Sequence, residues 1–179
     1  ALSLFMREVD MVWYGEAIAA LRRQGADSFQ IGHIGQMALF GVDSQTQGLA
    51  AVKIYGDYSC NVLNIPALYA YAQAGLSGVQ VSVELERAIV QQMQAHRKHM
   101  ARQGEAATVM LGAYIYGHPP LFSVRLDAPH FQGQRNFASG RGERYSLERR
   151  PEALYARSRS VVRAAETLHL FCQTSFQHG

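Results

Sequence analysis

Cysteine is scarce in this chain of 179 residues, which holds only Cys60 and Cys172. Two cysteines so far apart fit none of the short spacings of structural zinc sites. They also cannot form the dense disulfide framework of a small secreted domain. A single bridge between the two stays open, but reduced thiols in a cytoplasm are the simpler expectation. We expect no metal site.

Long apolar runs are missing as well. No stretch approaches the roughly 20 residues that a helix needs to cross a bilayer, so we expect no membrane association. The first residues lack the basic start and the continuous apolar segment of a signal peptide, although a chain that begins with Ala1 leaves an upstream leader open. Glycine-rich turns of the GxGxxG and GKS/T types are also absent, which argues against a dinucleotide-binding or P-loop nucleotide fold, and we expect no cofactor.

Lysine is nearly absent, since 15 of the 17 basic residues are arginine and only Lys53 and Lys98 are lysine. The charge is uneven: residues 1–86 carry a net charge of −4 and residues 87–179 a net charge of +7. The arginine fork suits contacts to phosphate and carboxylate better than lysine does. A bias towards arginine is also typical of a GC-rich genome, so the bias alone does not identify a ligand.

The composition of the whole chain, 48% hydrophobic and 17% charged, is typical of a globular protein. The length fits one domain over residues 1–179. Apolar residues at helical spacing predict helices over 2–24, 61–74, 81–102 and 151–173. Pro66 fits best within a first helical turn, so we expect the second helix to begin near Asn64.

Four apolar runs are predicted as strands, paired as two β-hairpins: 36–42 with 48–55, and 107–116 with 121–126. Because hairpins build antiparallel sheets, the sequence predicts an α+β fold in which a small antiparallel sheet made of two hairpins packs with four to five helices. Residues 127–150 are rich in Gly, Gln, Asn and Arg, and they are predicted as a long loop, which is usually functional or mobile.

Cys60 lies where a strand pattern passes through the tight polar turn of Tyr55–Val62 into a helix pattern. A thiol at a helix N-terminus experiences the positive end of the backbone dipole, which favours the thiolate. Cys60 is therefore the candidate nucleophile of a cysteine-dependent hydrolase or transferase that acts on an amide or a thioester. The alternative is a small buried residue, because free cysteine is among the most buried residue types.

A catalytic thiol also needs a histidine for proton transfer and a carboxylate that orients it. His118, in the turn of the second predicted hairpin, is the candidate general base, and Asp127 is the candidate orienting acid. The other histidines and carboxylates that could serve are His33, His130, Asp43 and Asp57. A turn, a cysteine, an apolar helix and a later histidine resemble the order in papain-like folds. The Asp-Cys-Ser-Gly motif of the NlpC type and the glutamine six residues before the papain-type cysteine are absent, however.

Arginines are concentrated between residues 135 and 150, where glycines allow close backbone approach to an anion and guanidinium groups supply forked donors. The candidate anion-binding residues are Arg135, Arg141, Arg144 and Arg149. Interleaved aromatic side chains could stack on bases, whereas nearby carboxylates favour a solvated loop with local ion pairs. The alternative to an enzyme is therefore a binding module. Its amphipathic helices and basic loop would contact a protein partner, an anionic or nucleic-acid ligand, or a second copy of the chain.

Two further groups of side chains are candidates for a site. Tyrosines near the predicted strand ends and the second helix could line a pocket: Tyr55, Tyr58, Tyr69, Tyr71, Tyr114 and Tyr116. His96 and His99 have the i, i+3 spacing that lets two histidines bind one metal. The HExxH pattern is absent and His96 continues an apolar stripe, so we predict a packed histidine rather than a ligand.

Overall fold

The computed structural model describes residues 1–40, 52–102, 109–125, 136–150, 153–159 and 162–163. These residues fall into two compact units, an N-terminal unit within Ala1–Tyr114 and a C-terminal unit within Ile115–Leu168. The single domain over 1–179 stays a prediction. Of the helices in the described ranges, none combines the length and the apolar character that a bilayer crossing requires.

The N-terminal unit is built on a four-stranded sheet of β1 (Ser28–Ile31), β2 (Lys53–Gly56), β3 (Gly78–Gln80) and β4 (Met110–Gly112). The strands lie in the order β1-β2-β3-β4, and each neighbouring pair is parallel. Parallel neighbours need a crossover connection. The crossovers contain a 3₁₀ segment after β1 (Ile34–Phe40), helix α2 after β2 (Ile65–Gln73) and helix α3 after β3 (Arg87–Arg102), and helix α1 (Met11–Arg23) precedes the sheet.

One face of this sheet forms the apolar core. The strand register aligns Ile31, Gly56, Val79 and Leu111 across the four strands, so their side-chain positions share a face. The buried cluster on this face includes Leu68 of α2 and Val90 and Met93 of α3. Helices α2 and α3 therefore cover one side of the sheet.

Three of the predicted helices are confirmed in type and place. The second begins as expected, because the Asn64 side chain accepts a hydrogen bond from the Ala67 N–H at 2.9 Å and Pro66 lies in the first turn. Helices α1 and α3 lie within the predicted ranges 2–24 and 81–102. Helix α1 starts later than expected, because a separate 3₁₀ turn (Glu8–Asp10) precedes it.

The predicted antiparallel sheet of two hairpins is wrong. The described part of 36–42 belongs to the 3₁₀ segment, and the described end of 48–55 is β2, which pairs in parallel with the unpredicted strand β1. Strand β4, expected to pair with 121–126, pairs in parallel with β3. Short apolar runs do not specify their own partners, and the helical segments between these strands supply the length of a parallel crossover.

The C-terminal unit contains an antiparallel sheet in the order β6-β9-β8-β7. Its strands are β6 (Pro120–Val124), β7 (Asn136–Ala138), β8 (Arg144–Arg149) and β9 (Leu154–Ser158). A separate two-stranded ladder joins β5 (Tyr116–Gly117) to β10 (Val162–Arg163). Strand β9, one of the two inner strands, buries Leu154, Tyr155 and Ala156.

Two further sequence predictions are corrected in this unit. Residues 136–150, within the predicted loop 127–150, form the hairpin of β7 and β8, closed by a bond from the Ser139 N–H to the Glu143 carbonyl at 2.9 Å. The predicted helix 151–173 contains β9 and β10 instead. Strand β9 pairs on both sides, and this tertiary pairing overrides the helical spacing of its apolar residues. Cys172 lies outside the described residues.

Candidate functional site

The turn around Cys60 follows directly after β2. The Asp57 carboxylate accepts a hydrogen bond from the Ser59 N–H at 2.7 Å and so caps the 3₁₀ turn Tyr58–Cys60. Asn61 ends that turn in the left-handed region, with φ 54° and ψ 47°. Cys60 therefore lies in a single 3₁₀ turn before the Asn64 cap and not at the N-terminus of α2, so the helix dipole expected to activate the thiol does not act on it.

The surroundings of Cys60 favour the protonated thiol. The side chain is 6% exposed, and its sulfur donates to the Ile31 carbonyl at 3.7 Å. The Tyr71 hydroxyl donates to the Cys60 carbonyl at 2.8 Å. Burial, and then the negative charge of Asp57, raise the pKa of Cys60 to about 11. Burial also raises the pKa of Asp57 itself.

Of the predicted partners of Cys60, Asp57 lies beside it, where its carboxylate caps the turn and its charge raises the pKa of the thiol. The described part of the N-terminal unit brings no predicted histidine to this pair. His118 belongs to the C-terminal unit, where its carbonyl accepts a hydrogen bond from Arg157 at 2.7 Å. His33 is exposed and accepts a hydrogen bond from the Gly35 N–H at 3.0 Å. The remaining candidates, Asp127, His130 and Asp43, lie outside the described residues. The catalytic group of Cys60, His118 and Asp127 stays a prediction, and the high thiol pKa argues against it.

The predicted anion-binding arginines do not all lie on one face of the antiparallel sheet. Arg141 lies in the turn between β7 and β8, and Arg144 and Arg149 are the first and last residues of β8. Five positions separate Arg144 from Arg149, so strand alternation places them on opposite faces. Arg135 lies outside the described residues.

Sequence reasoning missed Arg157, because it placed that residue on a helix. Strand β9 aligns Arg157 with Ser146 of β8, on the face that carries Arg144. Its Nε donates to Glu148 at 2.8 Å, and Arg150 pairs with the same carboxylate at 2.8 Å. Hydrogen bonds from Arg150 and then Arg157 lower the pKa of Glu148. The ring of Tyr155 lies beneath both guanidinium groups, at 5.4 and 5.8 Å from them.

The face of the parallel sheet opposite α2 and α3 carries a cleft of about 550 Å³. The register aligns Gln30, Tyr55, Gly78 and Met110 across the four strands. Adjacent positions on this face hold Gln80 of β3 and Gly112 of β4. We call this feature the sheet cleft, and the residues that define it here are Gln30, Tyr55, Gly78, Gln80, Met110 and Gly112.

Two glycines shape the floor of the sheet cleft. A Cβ atom at Gly78 would lie 2.9 Å from Cδ1 of Tyr55 and 3.0 Å from Cβ of Met110, so only glycine lets the Tyr55 ring lie over this position. A Cβ atom at Gly112 would lie 3.3 Å from Cγ of Gln80, a flexible side chain that can move aside. The cleft floor is therefore made by a tyrosine ring and a glutamine side chain resting on glycine backbone.

Gln80 connects the sheet cleft to the turn that contains Cys60. Its Oε1 accepts a hydrogen bond from the Tyr58 N–H at 3.2 Å. The Tyr58 ring meets the Tyr114 ring edge-on, with centroids 5.1 Å apart. Of the tyrosines that the sequence suggested for a pocket, Tyr55 lines the cleft. The two glutamines were missed, since glutamine is most often a surface residue and no sequence signal distinguishes these two.

The described residues contain no group of three or more His, Cys, Asp or Glu side chains placed to hold a metal ion. His96, considered above as a ligand, is half-buried and meets the Tyr69 ring edge-on at 5.8 Å between centroids. Comparison of the chain with protein-family models, curated proteins and solved structures finds no match. Its function therefore has to be inferred from the chemistry of the two units.

Proposed function

We propose that the N-terminal unit binds an uncharged organic molecule of small size in the sheet cleft. The observation that carries the proposal is the lining: among the described residues around the cleft, no side chain carries a formal charge at neutral pH. A cationic ligand would lose its hydration there without gaining an opposite charge, which is costly. An anionic ligand would gain only the α-amino group of Ala1, the one charged group among the described residues of the lining. A neutral ligand avoids that cost.

The size and the mixed lining of the cleft suit such a ligand. Its volume of about 550 Å³ lies within the range of roughly 300–1,000 Å³ of small-molecule pockets. Tyr55 and Met110 offer apolar contact, and a tyrosine ring favours a planar partner. The amides of Gln30 and Gln80 offer both donors and acceptors. A planar molecule with an amide or hydroxyl group matches this combination.

Binding accounts for the site better than thiol catalysis does. The described lining holds no carboxylate or histidine to act as a general acid or base near neutral pH. The Cys60 thiol is buried and its pKa is raised to about 11. The proposal therefore follows the non-enzymatic alternative, with the cleft rather than the basic segment as the binding element of this unit.

The first test is a titration of the full chain with benzamide, benzoate and benzamidine, followed through backbone amide signals in NMR spectra. The three probes share one ring and differ in charge. We expect benzamide to shift the signals of Gly78, Met110 and Gly112 with a Kd on the order of 1 mM, since a fragment of this size contributes little binding energy. Benzoate and benzamidine should bind more weakly.

Variants locate the binding. Gly112→Val adds a side chain to the cleft floor, where its Cβ atom meets the flexible Gln80 chain first, at 3.3 Å from Cγ. We expect this variant to abolish benzamide binding. Tyr55→Phe removes the hydroxyl of a residue that lines the cleft and should weaken benzamide binding. Tyr69→Phe is its control, because it makes the same change in α2, away from the described cleft lining. The proposal fails if Tyr69→Phe and Gly112→Val weaken benzamide binding equally, or if the charged probes bind as well as benzamide.

A further inference from the structure

Two exposed arginines occupy directly opposite positions on neighbouring strands in the antiparallel sheet of the C-terminal unit. The register pairs Tyr145 of β8 with Ser158 of β9. The ladder continues by one bond, because the Arg159 N–H donates to the Arg144 carbonyl at 3.0 Å. Arg144 and Arg159 are therefore opposite neighbours, and both are exposed.

Like charges in directly opposite positions repel each other and destabilise a strand pair. The neighbouring arginines of this sheet do have a counter-charge, since Arg150 and Arg157 share Glu148. In the described parts of the chain no carboxylate pairs with Arg144 or Arg159.

Glu143, the carboxylate next to Arg144 in sequence, is engaged elsewhere. It accepts hydrogen bonds from the Tyr145 hydroxyl at 2.6 Å and the Ser139 hydroxyl at 3.0 Å. Both bonds lower the pKa of Glu143, and the bond from the Tyr145 hydroxyl has the larger effect. The charge of Glu143 is thus used to close the hairpin turn.

The surrounding charge adds to the local one. Residues 115–168 contain nine arginines, no lysine and five carboxylates, a net charge of +4, whereas residues 1–114 carry a net charge of −1. The positive potential of the chain is therefore concentrated in the C-terminal unit, where it attracts anions towards the sheet.

We propose that Arg144 and Arg159 together bind a phosphate group, either as the free ion or as the monoester of a small molecule. Opposite positions in an antiparallel pair have Cβ atoms about 5 Å apart, so two long guanidinium groups can reach one anion. The planar arginine fork matches the oxygens of phosphate. A bound dianion would also turn the repulsion between the two arginines into attraction to a shared partner.

The test measures binding of sodium phosphate and of glycerol 3-phosphate to the full chain by calorimetry, in phosphate-free buffer with ionic strength held constant by sodium chloride. We expect saturable binding. Tighter binding of glycerol 3-phosphate identifies a monoester as the ligand, and tighter binding of inorganic phosphate identifies the free ion. Arg144→Gln and Arg159→Gln should each raise the Kd about tenfold or more, as loss of a charged hydrogen-bonding partner does. Arg144→Lys keeps the charge but loses the fork, and should also bind more weakly.

Arg149→Gln is the matched control, because it removes the same charge from the opposite face of the same strand. It should leave the Kd unchanged. In phosphate-free buffer, Arg144→Gln should unfold at a temperature equal to or above that of the wild type, since it removes repulsion. Equal weakening by Arg149→Gln and Arg144→Gln would show charge screening only and would overturn the proposal, as would the absence of saturable binding to the wild type. The outcome does not depend on the sheet cleft.

Discussion

At the scale of single residues, the thiol of Cys60 is kept protonated by burial and by the charge of Asp57. The folded-state pKa of about 11 exceeds the value of about 9 for an unburied thiol. The folded state therefore holds this proton more tightly than the unfolded state does. The stability that this provides is complete below about pH 9 and is lost as the pH rises through about 11.

We therefore expect the free energy of unfolding to fall more steeply between pH 9 and pH 10.5 in the wild type than in Cys60→Ala. Urea titrations at each pH measure this difference in slope. Iodoacetamide should label Cys60 in the native protein only slowly at pH 7.5, because the thiolate is the reactive form. Asp57→Asn removes the second cause of the raised pKa and should speed the labelling.

Rapid native labelling of Cys60 with an apparent pKa at or below about 9 would contradict this account, because that is the value for an unburied thiol. It would return Cys60 to the position of a candidate nucleophile. Peptide mass spectrometry separates its labelling from that of Cys172.

At the scale of elements, α1 buries a narrower stripe than its composition suggests. The apolar pattern of residues 2–24 predicts a broad buried face that includes Trp13 and Ile18. In the structure Ile18 is 4% exposed, whereas Trp13 is 63% exposed. Ile18→Ala should therefore lower the free energy of unfolding by about 2–4 kcal/mol, through lost apolar contact and a cavity.

Trp13→Ala is the control within the same helix. It removes a larger side chain from an exposed position, so we expect a change of less than about 0.5 kcal/mol. Urea denaturation followed by far-ultraviolet circular dichroism suits both variants. A cost for Trp13→Ala similar to that of Ile18→Ala would mean that Trp13 is packed rather than exposed.

Elements with local signals could be predicted, and elements that depend on distant partners could not. Helix α2 was found because Asn64 and Pro66 are capping signals that act within one turn. Strands β1 and β9 were missed because short strands are specified by pairing with residues far along the chain. The candidate site divides in the same way. Tyr55 carries an aromatic signal, but Gln30 and Gln80 become site residues only when the parallel sheet brings them to one face.

At the scale of the whole molecule, the two units differ in charge and in the ligand proposed for each. The buried cluster around the parallel sheet draws on residues up to Leu111 among those described. In the described part of the C-terminal unit the buried residues are Pro119 and the segment 153–156. Each unit thus has buried residues of its own, which is the condition for a domain that unfolds separately.

We therefore expect two transitions when the full chain is heated in a calorimeter, whereas the single domain predicted over 1–179 would give one. A ligand that binds only the folded form stabilises the unit that binds it, by about 1.4 kcal/mol at ten times its Kd, which corresponds to a shift of several degrees. Phosphate should raise the midpoint temperature of one transition, and the rise should be smaller in Arg144→Gln. Benzamide should raise the midpoint temperature of the other transition. One transition raised by both ligands would contradict the division into two units while leaving both binding sites in place.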